Sequence, residues 1–515
     1  MANTNKKKAE EIPPLPEGWS RCHVYIPTKR RYCRQQLLPG SIYCGNHQGT
    51  RTVANEDIQA TATMHSPSST TQLANSPSLQ VVKVPCPLDP SHWVIADRVA
   101  KHVRKCPARK KQQQLEQATF YCQNINKGGH GTKSDPLSMP PQRDLAWAQN
   151  VARAVVRLHQ RVFAAERHVD EKSVSLAQIE NAITLEDLSI AELDAGLEEA
   201  IEVNHIKCGG PKHLRQQASL VGHLRRLGAV PAAGSTNVED ETTRDSKKPR
   251  TMLHTIVEMG AGRGVLGLVA AGVSAVRTPT NLILIERGAS RAKADTVLRN
   301  IPKESPEKAE QYMRLGNVKF SRLGCDLAHV KMRTVLEEQQ ASKIHVIAKH
   351  LCGAGTDLAL KALEPIKQDV LSYLFATCCH GVCNWDDYVG REYLHNLFSE
   401  ENIPFGPDEF ELLRRWSSGT VMTHLGDAEE HSVLKSSYEE KHVQSSFAIG
   451  RIVDSLGLSC GVHGLGRSCQ RLIDYGRLQY VQRILLEERE GSKSEIVHYV
   501  ASDVTPQNAV IRGCM

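Results

Sequence analysis

The chain has 515 residues, 40% apolar and 23% charged, with 36 Gly, 24 Pro, 15 Cys and a formal net charge of +7. These proportions exclude a collagen-like chain and a short, Cys-dense secreted scaffold, and at roughly 100–200 residues per domain the length allows about three or four domains. The longest stretch without strong polarity, Gly264 to Val276, is too short to span a bilayer, and no apolar core follows the basic start Met1–Lys8. The expected setting is therefore intracellular, nucleus or cytoplasm, with reduced cysteines and no membrane partner.

Two segments are basic. Residues 1–50 hold 8 Lys/Arg against 3 Asp/Glu, and residues 81–111 hold 8 against 2. The remainder is mildly acidic, so a polyanionic partner, RNA or DNA, is expected to touch mainly these two segments. The first, residues 1–50, reads Cys22-x10-Cys33-x10-Cys44-x2-His47, with Pro27, Pro39 and Gly40 marking turns. Three thiolates and an imidazole satisfy tetrahedral Zn2+, and a segment this short needs metal for its folding energy. The second, residues 81–111, reads Cys86-x5-His92-x9-His102-x3-Cys106. A helix is predicted over Asp97–Arg104, which puts His102 and Cys106 on one face, with Trp93 and Val94 packing beside a second Zn2+. His23 and His130 read as solvated bystanders. Between the fingers, residues 51–80 include ten Ser or Thr and no aromatic, the composition of a flexible linker.

Residues 112–204 are expected to form a helical connector. Val155, Leu158, Val162 and Ala165 recur on one helical face, as do Leu176, Ile179, Ile183, Ile190, Leu193 and Leu197. These helices either bridge to a partner or pack onto the main domain. The last domain spans 205–515 and includes a polar linker, Gly234–Arg250. Within it, predicted strands Met252–Val257, Leu282–Ile285, Val318–Leu323, Ile344–Ala348 and Leu371–Ala376 alternate with helical stretches. That rhythm predicts an α/β fold with an open parallel sheet covered by helices on both faces.

The first of these strands runs into Glu258-Met259-Gly260-Ala261-Gly262-Arg263-Gly264, and a helical segment follows. Glycines there let the backbone approach a ligand. Glu286 closes the next strand, where an acid accepts hydrogen bonds from both hydroxyls of a ribose. The turn reads E-x-G-x-G-x-G, one residue out of register with the dinucleotide template G-x-G-x-x-G. It resembles the first motif of Rossmann-like methyltransferases, which bind S-adenosylmethionine. Asp326, after the third strand, resembles the acid that faces adenine in such enzymes.

Two further strand ends carry Cys and His. One is Lys349-His350-Leu351-Cys352-Gly353-Ala354-Gly355-Thr356-Asp357, the other Thr377-Cys378-Cys379-His380-Gly381-Val382-Cys383. Adjacent strand ends would bring them together. Three readings compete: a third metal site, a nucleophilic Cys, or acid–base and positioning work at a methyl acceptor with the cysteines filling shape. The third is favoured, with Lys349 and His350 polarising a hydroxyl and Cys378, Cys379 and His380 beside them. Consecutive Cys378-Cys379-His380 is poor spacing for chelation by one rigid turn.

In this order the motifs match the eukaryotic tRNA 2′-O-methyltransferases that modify nucleotide 4 of the acceptor stem. The resemblance covers both fingers, Lys212-His213, Gln216-Gln217, the Glu258–Gly264 turn, Lys349–Asp357, Cys378–Cys383 and Arg471-Leu472-Ile473-Asp474-Tyr475-Gly476-Arg477. It implies S-adenosylmethionine as methyl donor, tRNA as partner and a ribose 2′-hydroxyl as acceptor. No Lys-Asp-Lys-Glu set of the kind many RNA ribose methyltransferases use can be assembled, and Lys349 is its one candidate member. Arg471 and Arg477, on an expected helix, are candidates for phosphate contacts or for an exposed helix face. The alternatives are an RNA-binding scaffold with an inactive methyltransferase fold, and a methyltransferase acting on a base or on protein.

Overall fold

The computed structural model describes residues 21, 23, 25–26, 31–32, 83–128, 143–163, 171–184, 211–230, 254–275, 279–288, 296, 298, 313–422, 447–487 and 490–514. The chain divides into two compact units, Met1–Val81 and Val82–Met515. In the first, β1 (Tyr25–Ile26) pairs antiparallel with β2 (Arg31–Tyr32). Cys22, Cys33, Cys44 and His47 lie outside the described residues, as do the segments 51–80 and 234–250 and the positions His130, Ala165, Ile190, Leu193 and Leu197.

The second unit opens with an antiparallel hairpin, β3 (Lys83–Cys86) and β4 (Asp89–Ile95). A short 3-10 turn leads into α1 (Val99–Lys105) and then α2 (Pro107–Glu116). Cys106 is extended, with ψ 131°, and Pro107 stands at the first position of α2, where its missing N–H costs nothing. Cys106 therefore caps the predicted helix instead of continuing it. The chain then docks on the main domain: Tyr121 pairs with Val330, and the Asn126 amide donates to the carbonyls of Leu327 (2.7 Å) and Val330 (2.8 Å). Helices α3 (Leu145–Phe163) and α4 (Leu176–Asn181) follow.

After α5 (Pro211–Arg226) come the strands of a seven-stranded sheet: β5 (His254–Met259), β6 (Thr280–Ile285), β7 (Val318–Leu323), β8 (Ile344–Lys349), β9 (Val370–Ala376), β10 (Lys493–His498) and β11 (Ala509–Cys514). Its order is β10-β11-β9-β8-β5-β6-β7. The five strands β5 to β9 run parallel, whereas β11 lies antiparallel to both β9 and β10. The sheet is thus mixed, where a wholly parallel one was expected. The chain builds outward from β5 through β6 to β7, then returns to β5's other side for β8 and β9. That reversal leaves a crevice at the carboxyl ends of β5 and β8.

Alternation along the strands divides the apolar residues between two layers. Val257, Met259, Ile283, Ile285, Val346 and Ala348 face one layer, with α7 (Met332–Glu338) and α8 (Gly355–Leu363). Ile256, Leu282, Leu284, Ile347 and Leu374 face the other, with α5 and α6 (Val265–Ala275). Helix α6 is apolar all round and almost wholly buried, as such a helix must be.

A third cluster is helical. It joins α3 and α4 to α9 (Arg391–Ser399), α10 (Pro407–Trp416), α11 (Ile449–Leu456) and α12 (Gly461–Tyr480). Of the two roles open to α3, it takes the second, packing on the main domain through Val151, Val155 and Leu158. No helix among the described residues is long and apolar enough to cross a membrane.

Candidate active site and metal centre

The turn after β5 is shaped by its glycines. Gly260, Gly262 and Gly264 all have left-handed backbones, with φ of 64°, 50° and 78°. A Cβ on Gly260 would run into Leu351 Cδ2, and one on Gly264 would stand 2.6 Å from Arg322 Nη2. Arg322, on β7, donates to the carbonyls of Gly262 (3.0 Å) and Arg263 (3.2 Å), and Ala261 N–H donates to Ile285 O (3.0 Å). The alternate glycines thus fold a tight loop over the ends of β5 and β6, braced from β7. Arg322 carries no motif and was not anticipated.

Three acids surround this loop. Glu286 Oε2 accepts from Gly262 N–H (2.8 Å) and its Oε1 from Gly288 N–H (2.6 Å), so its carboxylate stands at the loop's rim. Asp326 Oδ1 caps the turn Leu327–His329 through Ala328 N–H (3.0 Å), while Oδ2 pairs with Arg287 (3.2 Å). Glu258 differs. It is buried and accepts from Gly267 N–H in the first turn of α6 (2.9 Å). Burial pushes its carboxyl up to about 8, against the lowering pull of that amide, Arg322 and Lys349. Its partner here is the helix that the glycine loop opens.

The end of β8 brings Lys349 to the crevice, where its Nζ donates to Gln216 Oε1 on α5 (2.8 Å). The structure therefore joins Gln216, 133 residues earlier, to the reactive face. His350 follows in a left-handed conformation, φ 65°. Its pKa falls to about 4, through burial first and then the nearby Lys349 and His213 side chains, so it is neutral at physiological pH. Cys352 and Cys379 place their Sγ atoms 3.2 Å apart, and Cys379 is also left-handed, φ 50°. Hydrogen bonding from Cys378 pulls the Cys352 thiol down to about 6, while the same contacts push Cys378 up.

His380 belongs to a buried network instead. Its Nε2 lies 2.9 Å from Asp474 Oδ1, and Asp474 Oδ2 accepts from Thr377 Oγ1 (2.8 Å). Arg477 grips Asp357 with two bonds, 3.1 and 2.7 Å, reaches Asp474 at 3.1 Å, and donates to Cys383 Sγ. Tyr388 donates to Ile473 O (2.8 Å), and its hydroxyl occupies the space a Cβ on Gly476 would need. Arg471 bonds His498 (2.8 Å) and Asn508 (3.1 Å). Both arginines are buried. Their burial fits neither expected role: Arg477 is held inside the protein by Asp357 and Asp474, and Arg471 by His498 and Asn508. One helix, α12, thereby clamps the turns after β8 and β9.

The hairpin finger converges its four donors. Cys86 and Cys106 Sγ stand 3.8 Å apart, His92 and His102 Nε2 3.0 Å apart, and the cross pairs are 3.2 and 3.6 Å. With Zn–S near 2.3 Å and Zn–N near 2.0 Å, a tetrahedron has S–S edges of about 3.8 Å and S–N edges of about 3.5 Å. The donors present fit Zn2+. Asp89 Oδ2 lies 3.6 Å from His92 Nδ1, where a carboxylate orients a ligating imidazole. Trp93 does not pack beside this centre: it is 65% exposed. On a strand it points away from its neighbour His92.

A glycine loop at the switch of a parallel-rich sheet, with acids at its rim and a lysine at the next strand end, stands where such sheets bind small molecules. The chain belongs to the family described as Methyltransferase TRM13, which it matches over residues 215–513. Residues 20–48 match the CCCH zinc finger of TRM13 proteins, and residues 83–107 the U11-48K-like CHHC zinc finger. The human "tRNA:m(4)X modification enzyme TRM13 homolog" is 26% identical, covering 95% of this chain and 94% of its own length. The Saccharomyces cerevisiae "tRNA:m(4)X modification enzyme TRM13" is 23% identical over 95% of each chain. The rice protein of that name is 29% identical over 53% of this chain.

Proposed function

We propose that this protein is a Rossmann-like, S-adenosylmethionine-dependent methyltransferase that 2′-O-methylates the ribose at position 4 in the acceptor stem of tRNAs. The observation that carries the reading is that the glycine loop held to Glu286 ends β5 while the Lys349–Gln216 pair ends the adjacent parallel strand β8. The names of the full-length relatives support tRNA as substrate. The strand reversal at β5 and β8 supports the Rossmann-like assignment.

The residues divide the work. Glu286 accepts the ribose hydroxyls of the cofactor, the Gly260–Gly264 loop admits its backbone-close edge, and Asp326 borders the adenine side. Glu258 positions α6 and the loop. When bound, the cofactor supplies a sulfonium methyl, an electrophile that needs alignment more than activation. Gln216 orients Lys349 Nζ toward the acceptor hydroxyl, where its charge steadies the oxygen as the proton leaves. His350, next to Lys349 in the chain, is the second candidate to assist as the proton leaves. Cys378 and Cys379 border this face, and buried His380 positions their turn.

The exposed bases of the finger, Lys83, Arg98, Lys101, Arg104, Lys105 and Arg109–Lys111, hold the tRNA through phosphates. A-form RNA presents 2′-hydroxyls in its shallow groove, so the stem need not open. We divide the chain accordingly into fingers at 1–50 and 81–111, the linker 51–80, the helical segment 112–204 and the catalytic domain 205–515.

The test is labelled cofactor with total tRNA, digested to nucleosides. Label in 2′-O-methyl nucleosides is expected, and label on a base or on protein rejects the reading. Lys349→Ala should lower turnover by about 10²- to 10⁴-fold with cofactor affinity nearly unchanged by titration calorimetry. A parent protein that binds no cofactor at millimolar concentration is a scaffold.

A further inference from the structure

Cys352, Cys378 and Cys379 have all three Sγ atoms within 4.8 Å of one another. Filling of a core does not account for this, since Cys352 and Cys379 are exposed. Two of the turn residues that set them, His350 and Cys379, are left-handed and not glycine. Such positions are strained and persist where surrounding structure over-determines them. Here the surroundings are the Asp357–Arg477–Asp474 clamp, which fixes both turns from inside. The kink at Cys379 also answers the objection from spacing. Consecutive residues on an extended chain point to opposite sides, but the left-handed turn breaks that alternation and lets Cys378 and Cys379 converge.

We propose that Cys352, Cys378 and Cys379 form a metal site for a thiophilic divalent cation, Zn2+ being the expected occupant, with three thiolate ligands and one open position. Sulfurs on a tetrahedral Zn2+ stand about 3.8 Å apart. The finger's pair has that spacing, at 3.8 Å, and the Cys352–Cys379 pair at 3.2 Å is within reach of it. Three protein ligands with an open fourth position is the arrangement of reactive rather than structural zinc, the fourth place taken by water or a substrate oxygen. The site goes beyond the methyl-transfer reading and does not depend on it.

The experiment counts metal in the full-length protein, purified under reducing conditions with zinc and measured by plasma mass spectrometry. Neither cofactor nor RNA is present, so the result is independent of the proposed reaction. Cys352→Ala should bind roughly one zinc equivalent fewer than the parent, and Cys352→His should recover it. Because Cys352 is exposed, neither change threatens folding, which a melting curve verifies. In the Co2+-loaded parent, thiolate charge-transfer absorption should exceed that of Cys352→Ala. Equal metal content in parent and Cys352→Ala overturns the site. So does equal cobalt absorption, or a Cys352–Cys379 disulfide found by non-reducing mass spectrometry with no difference in metal.

Discussion

The finger at Cys86–Cys106 and the thiols at Cys352, Cys378 and Cys379 gather similar atoms by opposite means. The finger's donors all come from one short hairpin and the helix that Cys106 ends, and among the described residues it contributes to no apolar core cluster. Its geometry follows from local spacing, and metal supplies what a core would. The strand-end cluster draws on the turns after β8 and β9 and on a helix about a hundred residues later in the chain. There a large core comes first and positions the reactive groups afterward, at the expense of left-handed residues that only a rigid frame tolerates. A small module is specified by its ligands; a large one specifies its ligands.

The strongest way to break this contrast is to remove one finger donor. Cys106→Ser should unfold the finger outright, since zinc contributes about 10–16 kcal/mol to such folds. The main cooperative transition should stay in place, and tRNA affinity should fall by tenfold or more while cofactor affinity holds. Calorimetry and filter binding report both. Loss of the main transition together with the finger would mean the two are not independent.

Next in size is the clamp. Arg477→Met leaves Asp357 and Asp474 buried without their partner, which costs about 3–5 kcal/mol, readable in urea unfolding. Zinc at the finger should be unaffected. The same network predicts an acid limb. Burial alone would raise the Asp474 carboxyl, but His380, with Arg477 and Arg471, holds it down to about 2, from an ordinary 3.8. Its contribution is therefore complete above about pH 4 and lost as pH falls toward 2. Arg477→Met should move that loss to higher pH. A change in unfolding free energy under about 1 kcal/mol would fall below the cost of a broken buried pair and would show that α12 does not clamp the turns.

The contrast also explains what could be read in the residues alone. Four of the five parallel strands, β5, β6, β8 and β9, stood out because their apolar runs are largely buried on both faces. β10, at the sheet's edge, and β11 beside it did not, since Lys493-Ser494-Glu495 and Arg512 interrupt them. The glycine loop was legible because its backbone excludes side chains at alternate positions. Arg322 was not, because its partners lie 59 and 60 residues away and its residue type has no spacing signal, and Gln216 entered only through the family resemblance, its link to Lys349 lying 133 residues along the chain. Arg471 and Arg477 were misread because a polar helix pattern implies solvent unless the buried partners in other segments, Asp357 for Arg477 and His498 with Asn508 for Arg471, are known.

A smaller effect joins the loop to the thiols. Gly260→Ala forces a left-handed alanine, at about 1–2 kcal/mol, and pushes on Leu351, the neighbour of Cys352. Melting temperature should fall by a few degrees and cofactor affinity should drop in calorimetry. Unchanged affinity would remove the loop from the cofactor site.

The smallest expected effect lies beside the largest. His92 and Trp93 are adjacent on β4, yet only His92 faces the metal donors. Trp93→Ala should leave zinc content unchanged and shift stability by no more than about 0.5 kcal/mol, as for an exposed side chain with no buried partner. His92→Ala should abolish finger zinc. The pair tests whether strand alternation alone decides which residue the finger depends on. If Trp93→Ala released zinc, the finger would be holding its metal through an apolar shield as well as through its ligands, and its dependence on local spacing would be incomplete.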